Sequence, residues 1–138
     1  VSAAADGQIV VMRLGAMRLG DFLVTRLVEA VVHADDLDPE FAHDRRALAV
    51  VTRALADVLA ADAPGRAVEL RIPPFAAVQC VGGARHTRGT PRSAVETDPL
   101  TWVRVAAGRE TWATAQRDGR LSASGERSDL SQYLPLLG

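Results

Sequence analysis

The spacing of hydrophobic and polar residues predicts two long helices in the first part of the chain. A short apolar run at Ile9–Met12 predicts a strand, and residues 16–36 then predict a helix that is apolar on nearly every side. Residues 38–61 predict a second helix with a one-sided apolar stripe, because Asp38 suits the N-cap and Pro39 the first turn. We expect the first of these helices to be buried between layers of the fold.

Alternating apolar and polar residues predict strands in the middle of the chain and near its end. The predicted strands are residues 68–72, 75–81, 85–88, 93–97 and 120–125. Gly82 and Gly83 suit a hairpin turn, and Pro73 and Pro74 suit the end of a strand. The fold class is therefore α+β: a mostly antiparallel sheet of about five strands, covered by helices, with an appended N-terminal helix.

Three short helices are predicted around the last strand. The first is capped by Thr97 or Asp98 and ends at Gly108, the second ends at Gly119, and the third begins at Ser128. They are too short to bury one another, so we expect them to enclose an apolar interior with the sheet. The residues expected to line a ligand pocket there are Trp102, Val105, Trp112, Leu130, Tyr133 and Leu134. The alternative is that these side chains are simply core.

Composition and charge narrow the function classes. The 138 residues carry a formal net charge of −1, so phosphate neutralisation gives no reason to expect a nucleic-acid partner. Cys80 is the only cysteine, so an internal disulfide is impossible. No apolar run approaches the ~20 residues of a membrane span, and no secretion signal is visible. We therefore expect a cytoplasmic protein without a membrane span.

The chain is expected to divide in two. We interpret residues 1–37 as an N-terminal segment and helix, the remnant of a helical bundle, and residues 38–138 as the main domain. Because the chain opens at Val1 rather than at a methionine, we expect a fragment of a longer protein. A helix that is apolar on all sides and lacks its bundle predicts a homo-oligomer formed through that helix.

Two groups of residues have the chemistry of binding sites. Glu29 and His33 lie one helical turn apart, which lets a carboxylate and an imidazole converge on a divalent metal such as zinc. Two ligands leave that site incomplete, and a buried Glu–His hydrogen bond is the simpler interpretation. Arg85, His86 and Arg88 suit an anionic head group, because guanidinium groups bind carboxylates and phosphates. Pairing with acidic residues just downstream is the alternative.

The closing half of the chain resembles sterol-carrier-protein domains of a bacterial branch found in actinobacteria. The resemblance lies in V-E-T-D-P-L-T-W-V-R-V-A-A-G, then W-A-T-A-Q-R-D-G-R-L-S-A-S-G, then L-P-L-L, together with R-I-P-P-F and H-T-R-G-T-P. It covers about residues 40–138. It implies a sheet and helices around an apolar tunnel for lipids or fatty acyl chains, and it implies no single catalytic residue.

The preceding stretch G-A-M-R-L-G-D-F-L-V-T-R-L-V-E-A-V-V-H-A-D-D-L resembles the last helix of the DinB-like bundle in mycothiol-dependent maleylpyruvate isomerases. That family often carries a sterol-carrier-like domain behind the bundle. Its E-x-x-x-H pair supplies two metal ligands, which the match carries over to Glu29 and His33. An earlier helix supplies a further His in that family, and the given residues predict no such helix before residue 16.

The sequence therefore supports three candidate functions. The leading one is non-catalytic binding or transport of a lipid, sterol or fatty acyl chain in a pocket between sheet and helices. The alternative is an accessory part of a metal- and mycothiol-dependent isomerase or transferase, with zinc bound in a longer protein. A pure interaction module that buries its first helix in a second copy is the third.

Overall fold

The computed structural model describes residues 9–12, 15–83 and 93–137. The chain forms two compact units, residues 1–47 and residues 48–138. In the first unit, β1 (Ile9–Met12) pairs antiparallel with β2 (Gly15–Arg18), and α1 (Leu19–Leu37) follows at once. The strand predicted at residues 9–12 is confirmed, and the predicted helix begins three residues later because its first residues form β2.

Helix α1 is less buried than its apolar sequence predicts. Only Val28, Val31, Val32 and Asp35 are buried in it. Glu29 and His33 lie on its exposed surface instead of in a dry interior. The prediction that the whole helix is buried is therefore wrong for the described structure.

Helix α2 (Arg45–Asp62) begins later than the sequence predicts. The carboxylate of Asp38 caps only a local turn, where it accepts a hydrogen bond from the backbone N–H of Glu40 at 3.0 Å. The helix is capped by Asp44, whose carboxylate accepts from the backbone N–H of Ala47 at 3.0 Å. Both aspartates are good capping residues, and sequence alone does not decide between them.

The main sheet has four strands in the order β4-β3-β5-β6. The strands are β3 (Val68–Ile72), β4 (Ala76–Cys80), β5 (Ser93–Thr97) and β6 (Leu121–Ser124). The β3–β4 and β5–β6 pairs are antiparallel, and the central β3–β5 pair is parallel. The α+β class with a mostly antiparallel sheet and an N-terminal helix is confirmed, with four strands instead of five. The strand predicted at residues 85–88 lies outside the described residues.

The sheet has one buried and one exposed face. On β3, Val68, Leu70 and Ile72 are buried while Arg71 between them is exposed. Residues of α2 and α3 complete the interior of the second unit. The fully buried side chains of this core include Val51, Leu59, Leu70, Ile72, Val95 and Trp102.

Two short helices follow β5 as predicted. Helix α3 (Pro99–Ala106) is capped by Asp98, whose carboxylate accepts from the backbone N–H of Thr101 at 3.1 Å. Helix α4 (Trp112–Arg117) is capped by Thr111. The chain leaves α3 through Gly108, whose φ of 75° is a left-handed conformation that favours glycine.

The predicted last helix is wrong. A single 3₁₀ turn (Ser131–Tyr133) stands in its place, and Leu134 has an extended backbone with φ −116° and ψ 145°. The cause is Pro135, because the residue before a proline avoids the helical region. The backbone N–H groups of Leu136 and Leu137 then donate to the carbonyl oxygen of Ala106, at 2.8 and 3.2 Å. This bonding holds residues 134–137, the C-terminal segment, against the end of α3.

Within the described ranges, no helix combines the length and the hydrophobicity that crossing a membrane requires.

Candidate ligand-binding cleft

A cleft of about 360 Å³ opens between the end of α3, the start of α4 and the C-terminal segment. Its apolar walls are Val105, Trp112, Ala113, Leu134 and Pro135. Thr111 and Ser131 add hydroxyl groups, and Gly108 and the carboxylate-bearing Glu110 complete the lining. The concavity is therefore mostly apolar with a few polar groups, which is the usual composition of a small-molecule site.

Local sequence features position each wall of this cleft. Thr111 accepts a hydrogen bond from the backbone N–H of Thr114 at 3.1 Å, which starts α4 and makes Trp112 its first residue. The bonds from the C-terminal segment to Ala106 bring Leu134 and Pro135 to the opposite side. The cleft thus depends on one helix cap and one backbone anchor.

Three of the six residues predicted to line a pocket meet in the cleft: Val105, Trp112 and Leu134. Trp102 and Leu130 lie in the core instead, with 1% and 0% of their surface exposed. Tyr133 is half-buried and is not part of the cleft wall. The other lining residues were not predicted: Gly108, Glu110, Thr111, Ala113, Ser131 and Pro135. The sequence does contain a signal for the position of Pro135, because a proline after Leu134 predicts that no helix continues through that residue.

A second concavity, of about 540 Å³, adjoins the cleft, and most of the charged side chains that line it are arginines. We call it the arginine pocket: its lining is Arg104, Gly108, Arg109, Glu110, Thr111, Thr114 and Arg120. The Arg120 guanidinium binds both carboxylate oxygens of Glu110, with Nη1 to Oε2 at 2.6 Å, and also the Asp118 carboxylate at 3.1 Å. The hydrogen bonds from Glu110 and then Asp118 raise the pKa of Arg120 above its usual value.

The predicted head-group residues Arg85, His86 and Arg88 lie outside the described residues, and their role stays a prediction.

Glu29 and His33 do not form a metal site by themselves. The Glu29 carboxylate accepts from the Arg26 guanidinium at 2.8 Å, and the His33 side chain is 71% exposed with Nδ1 at 3.9 Å from Asp36. Across residues 9–12, 15–83 and 93–137, no group of three or more His, Cys, Asp and Glu side chains could hold a metal ion. Two donors do not fit a zinc site, which takes at least three protein ligands.

Cys80 is buried at the end of β4. Burial raises the pKa of its thiol to about 11, because a thiolate is poorly solvated in an apolar interior. The thiol is therefore protonated at neutral pH, which agrees with an inert core residue.

The fold, a helix-covered α+β sheet with an apolar cleft, agrees with the class that the sequence suggested. The chain belongs to the family described as bacterial SCP orthologs, whose sequence profile matches residues 44–136. The resemblance of the closing half to sterol-carrier-protein domains is thereby confirmed. No curated protein is significantly similar to the chain.

Two similar solved structures are the mycothiol-dependent maleylpyruvate isomerase and a mutant of it. Each superposes with a TM-score of 0.52 at 20% identity, over 89% of this chain and 48% of the isomerase chain. The match covers more than residues 44–136 could supply, so it extends into the N-terminal part, as the second resemblance predicted. The chain spans about half the length of the isomerase chains, and the likeness is one of fold.

Proposed function

We propose that this protein binds the apolar part of a small molecule, without catalysis, in the cleft beside Trp112. The observation that carries the proposal is the meeting of Val105, Trp112 and Leu134 around a concavity open to solvent. Its volume of about 360 Å³ lies at the small end of the range for ligand sites. Membership of the SCP family gives independent support for a lipid, sterol or fatty acyl ligand.

The size of the cleft favours a short acyl segment or one ring over a whole lipid. Each methylene removed from water favours binding by about 0.8 kcal/mol. Association costs at least about 4 kcal/mol. Ten methylenes would then bind in roughly the millimolar range, and longer or aromatic ligands more tightly.

The test fills the cleft with a larger side chain introduced at its exposed edge. Ala113 is exposed and lines the cleft, so Ala113→Trp fills it with little cost to the fold. The matched control is Ala61→Trp, at an exposed alanine of α2 outside the cleft. The probe is N-phenyl-1-naphthylamine, a neutral apolar dye whose fluorescence rises on binding.

We expect saturable dye binding by the parent and by Ala61→Trp, and binding at least tenfold weaker in Ala113→Trp. An Ala113→Trp variant that folds and binds like the parent would contradict the proposal, as would a parent that binds no dye.

A second candidate function is an accessory role in a metal- and mycothiol-dependent isomerase or transferase. It is favoured by the match of 89% of this chain to part of the isomerase structure. In that role Glu29 and His33 would supply two ligands of a site completed by residues elsewhere. Zinc analysis of the full-length protein tests it: stoichiometric metal lost in Glu29→Ala and His33→Ala supports the role, and metal-free protein of full stability contradicts it.

Self-association through α1 is the proposed quaternary arrangement. Its support is the exposure of large apolar side chains in the first unit, with Leu37 87% and Phe41 48% exposed. Sedimentation equilibrium over a range of concentrations tests it. A dimer that Leu37→Glu dissociates is expected, and a monomer at all concentrations would contradict it.

A further inference from the structure

We propose that Arg120 is a positioning residue of the cleft: it is not part of the cleft wall, and it acts on that wall through Glu110. The inference rests on the proposed function, because it concerns the affinity of the cleft beside Trp112 for an apolar ligand. The link between Arg120 and Glu110 sets the place of the α3–α4 loop, residues 107–111, and with it the shape of the cleft.

Glu110 brings a carboxylate into a mostly apolar wall. Among the described residues that line the cleft, it alone carries a charge, and its side chain is only 12% exposed. A carboxylate that is largely removed from water requires a partner. Arg120 supplies that partner, because its guanidinium binds both carboxylate oxygens in a two-bond fork. Arg120 itself lines the arginine pocket and not the cleft, so it reaches the cleft only through Glu110.

The backbone of Arg120 is fixed to the sheet and to α4. Its N–H donates to the carbonyl oxygen of Ala115 at 3.0 Å, in the last turn of α4. Its carbonyl oxygen accepts from the hydroxyl of Thr97 at 2.8 Å, and Thr97 is the last residue of β5. The next residue, Leu121, begins β6. The guanidinium therefore extends to the loop from a rigid base, as a group that orients another must.

The α3–α4 loop is tied to α3 by its own backbone. The N–H groups of Arg109 and Glu110 both donate to the carbonyl oxygen of Arg104, at 2.8 and 3.3 Å, and that of Gly108 donates to Val105 at 3.2 Å. Two of these three bonds are longer than the usual 2.9–3.0 Å. The side-chain fork adds a link from the loop to the start of β6. Because the loop forms one wall of the cleft, losing that link lets the wall shift.

A second carboxylate on Arg120 supplies an internal comparison. Asp118 also binds the guanidinium, at 3.1 Å, but it is exposed and lines neither concavity. An exposed ion pair contributes little, because water and salt screen it. The two carboxylates therefore differ in one respect that matters to the cleft: Glu110 stands in its wall and Asp118 does not.

The experiment is a double-mutant cycle in the binding of N-phenyl-1-naphthylamine. The variants are Glu110→Gln, Arg120→Met and the two together. Glu110→Gln keeps the volume of the cleft wall and leaves Arg120 paired with Asp118. Arg120→Met leaves the Glu110 carboxylate without its partner, and the double variant removes that charge, so the test stands even if Arg120→Met does not fold. The matched control is Asp118→Asn.

We expect Arg120→Met and the double variant to bind the dye about three- to tenfold more weakly than the parent, and Glu110→Gln to bind it more weakly as well. The double variant should bind no more weakly than Arg120→Met, because both have lost the same link. Asp118→Asn should bind like the parent. Circular dichroism verifies that each variant compared is folded.

A folded double variant that binds the dye like the parent would overturn this inference and leave the proposed function standing. Losses that add up in the double variant would also overturn it, because Arg120 would then act on the cleft by a route other than Glu110. Equally weak binding by Asp118→Asn would do the same. A parent that binds no dye would instead overturn the proposed function.

Discussion

The indole Nε1 of Trp102 donates a hydrogen bond to the backbone carbonyl oxygen of Thr52, across 3.2 Å. The two residues are 1% and 0% exposed, so the bond lies in the interior of the second unit and joins α3 to α2. Trp102 is thereby fixed as a core residue, and Trp112 is the tryptophan that lines the cleft.

Trp102→Phe should destabilise the fold without weakening ligand binding. The variant loses one buried hydrogen bond and part of a large packed side chain, a combined cost of about 2–3 kcal/mol. Urea denaturation measures the stability, and dye titration below the transition measures binding. Trp112→Phe is the matched comparison and should weaken dye binding. Loss of binding in Trp102→Phe at unchanged stability would contradict the placement of Trp102 in the core.

The capping bond of α3 gives a second prediction. The Asp98 carboxylate accepts from the backbone N–H of Thr101 at 3.1 Å and from its hydroxyl at 2.8 Å. Asp98→Ala removes both bonds and should cost about 1–2 kcal/mol of unfolding free energy. Asp98→Ser restores a capping oxygen and should recover most of the loss. If Asp98→Ala and Asp98→Ser were both as stable as the parent protein in urea denaturation, the capping bond would not contribute to the free energy of unfolding.

Cys80 should be unreactive in the folded protein and should make stability fall at alkaline pH. Its pKa of about 11 is raised by burial, so the unfolded chain ionises first as pH rises. The contribution of the buried, protonated thiol to the free energy of unfolding is complete below the unfolded pKa near 9. It is lost as the pH rises from there through the folded pKa of about 11.

A disulfide reagent should modify the native thiol roughly tenfold or more slowly than the thiol in urea. Cys80→Ala should remove the part of the alkaline loss that this thiol causes. Equal modification rates in native and unfolded protein would show that the thiol is accessible.

Gly108 and Gly119 form a matched pair for testing the wall of the cleft. Both have left-handed backbones, with φ of 75° and 80°, so alanine at either position costs about 1 kcal/mol. A Cβ on Gly108 would meet Pro135, whereas one on Gly119 meets nothing within 4 Å. The 3.4 Å approach to Pro135 is an ordinary contact, so Gly108→Ala should lose about as much stability in urea denaturation as Gly119→Ala. Because Gly108 lines the cleft, Gly108→Ala should weaken dye binding, whereas Gly119→Ala should leave it unchanged. Equal dye binding by the two variants would mean that the Gly108 loop does not shape the cleft.

Much of the fold was predictable because its signals are local. The alternation of Val68, Leu70 and Ile72 with polar residues gave β3, and Asp98 with Pro99 gave the start of α3. The parallel β3–β5 pair was not predictable, because it joins strands that are distant in the chain, and pairing partners leave no local pattern.

The candidate site was predictable only in part. Trp102 and Trp112 both lie on short apolar helices, and sequence pattern gives no reason to separate them. The difference arises from tertiary packing, which places one against α2 and the other beside the C-terminal segment. The helix predicted from Ser128 is a single 3₁₀ turn, and Leu134 after it lines the cleft from an extended backbone.

The most direct test of the account follows the indole N–H signals of the two tryptophans by ¹H–¹⁵N NMR. Each signal is assigned with the corresponding Trp→Phe variant, and 1,2-decanediol is titrated into the parent protein. The account predicts a saturable shift of the Trp112 signal and a fixed Trp102 signal. A Trp102 signal that moves while Trp112 stays fixed would contradict it, and so would two signals that never move.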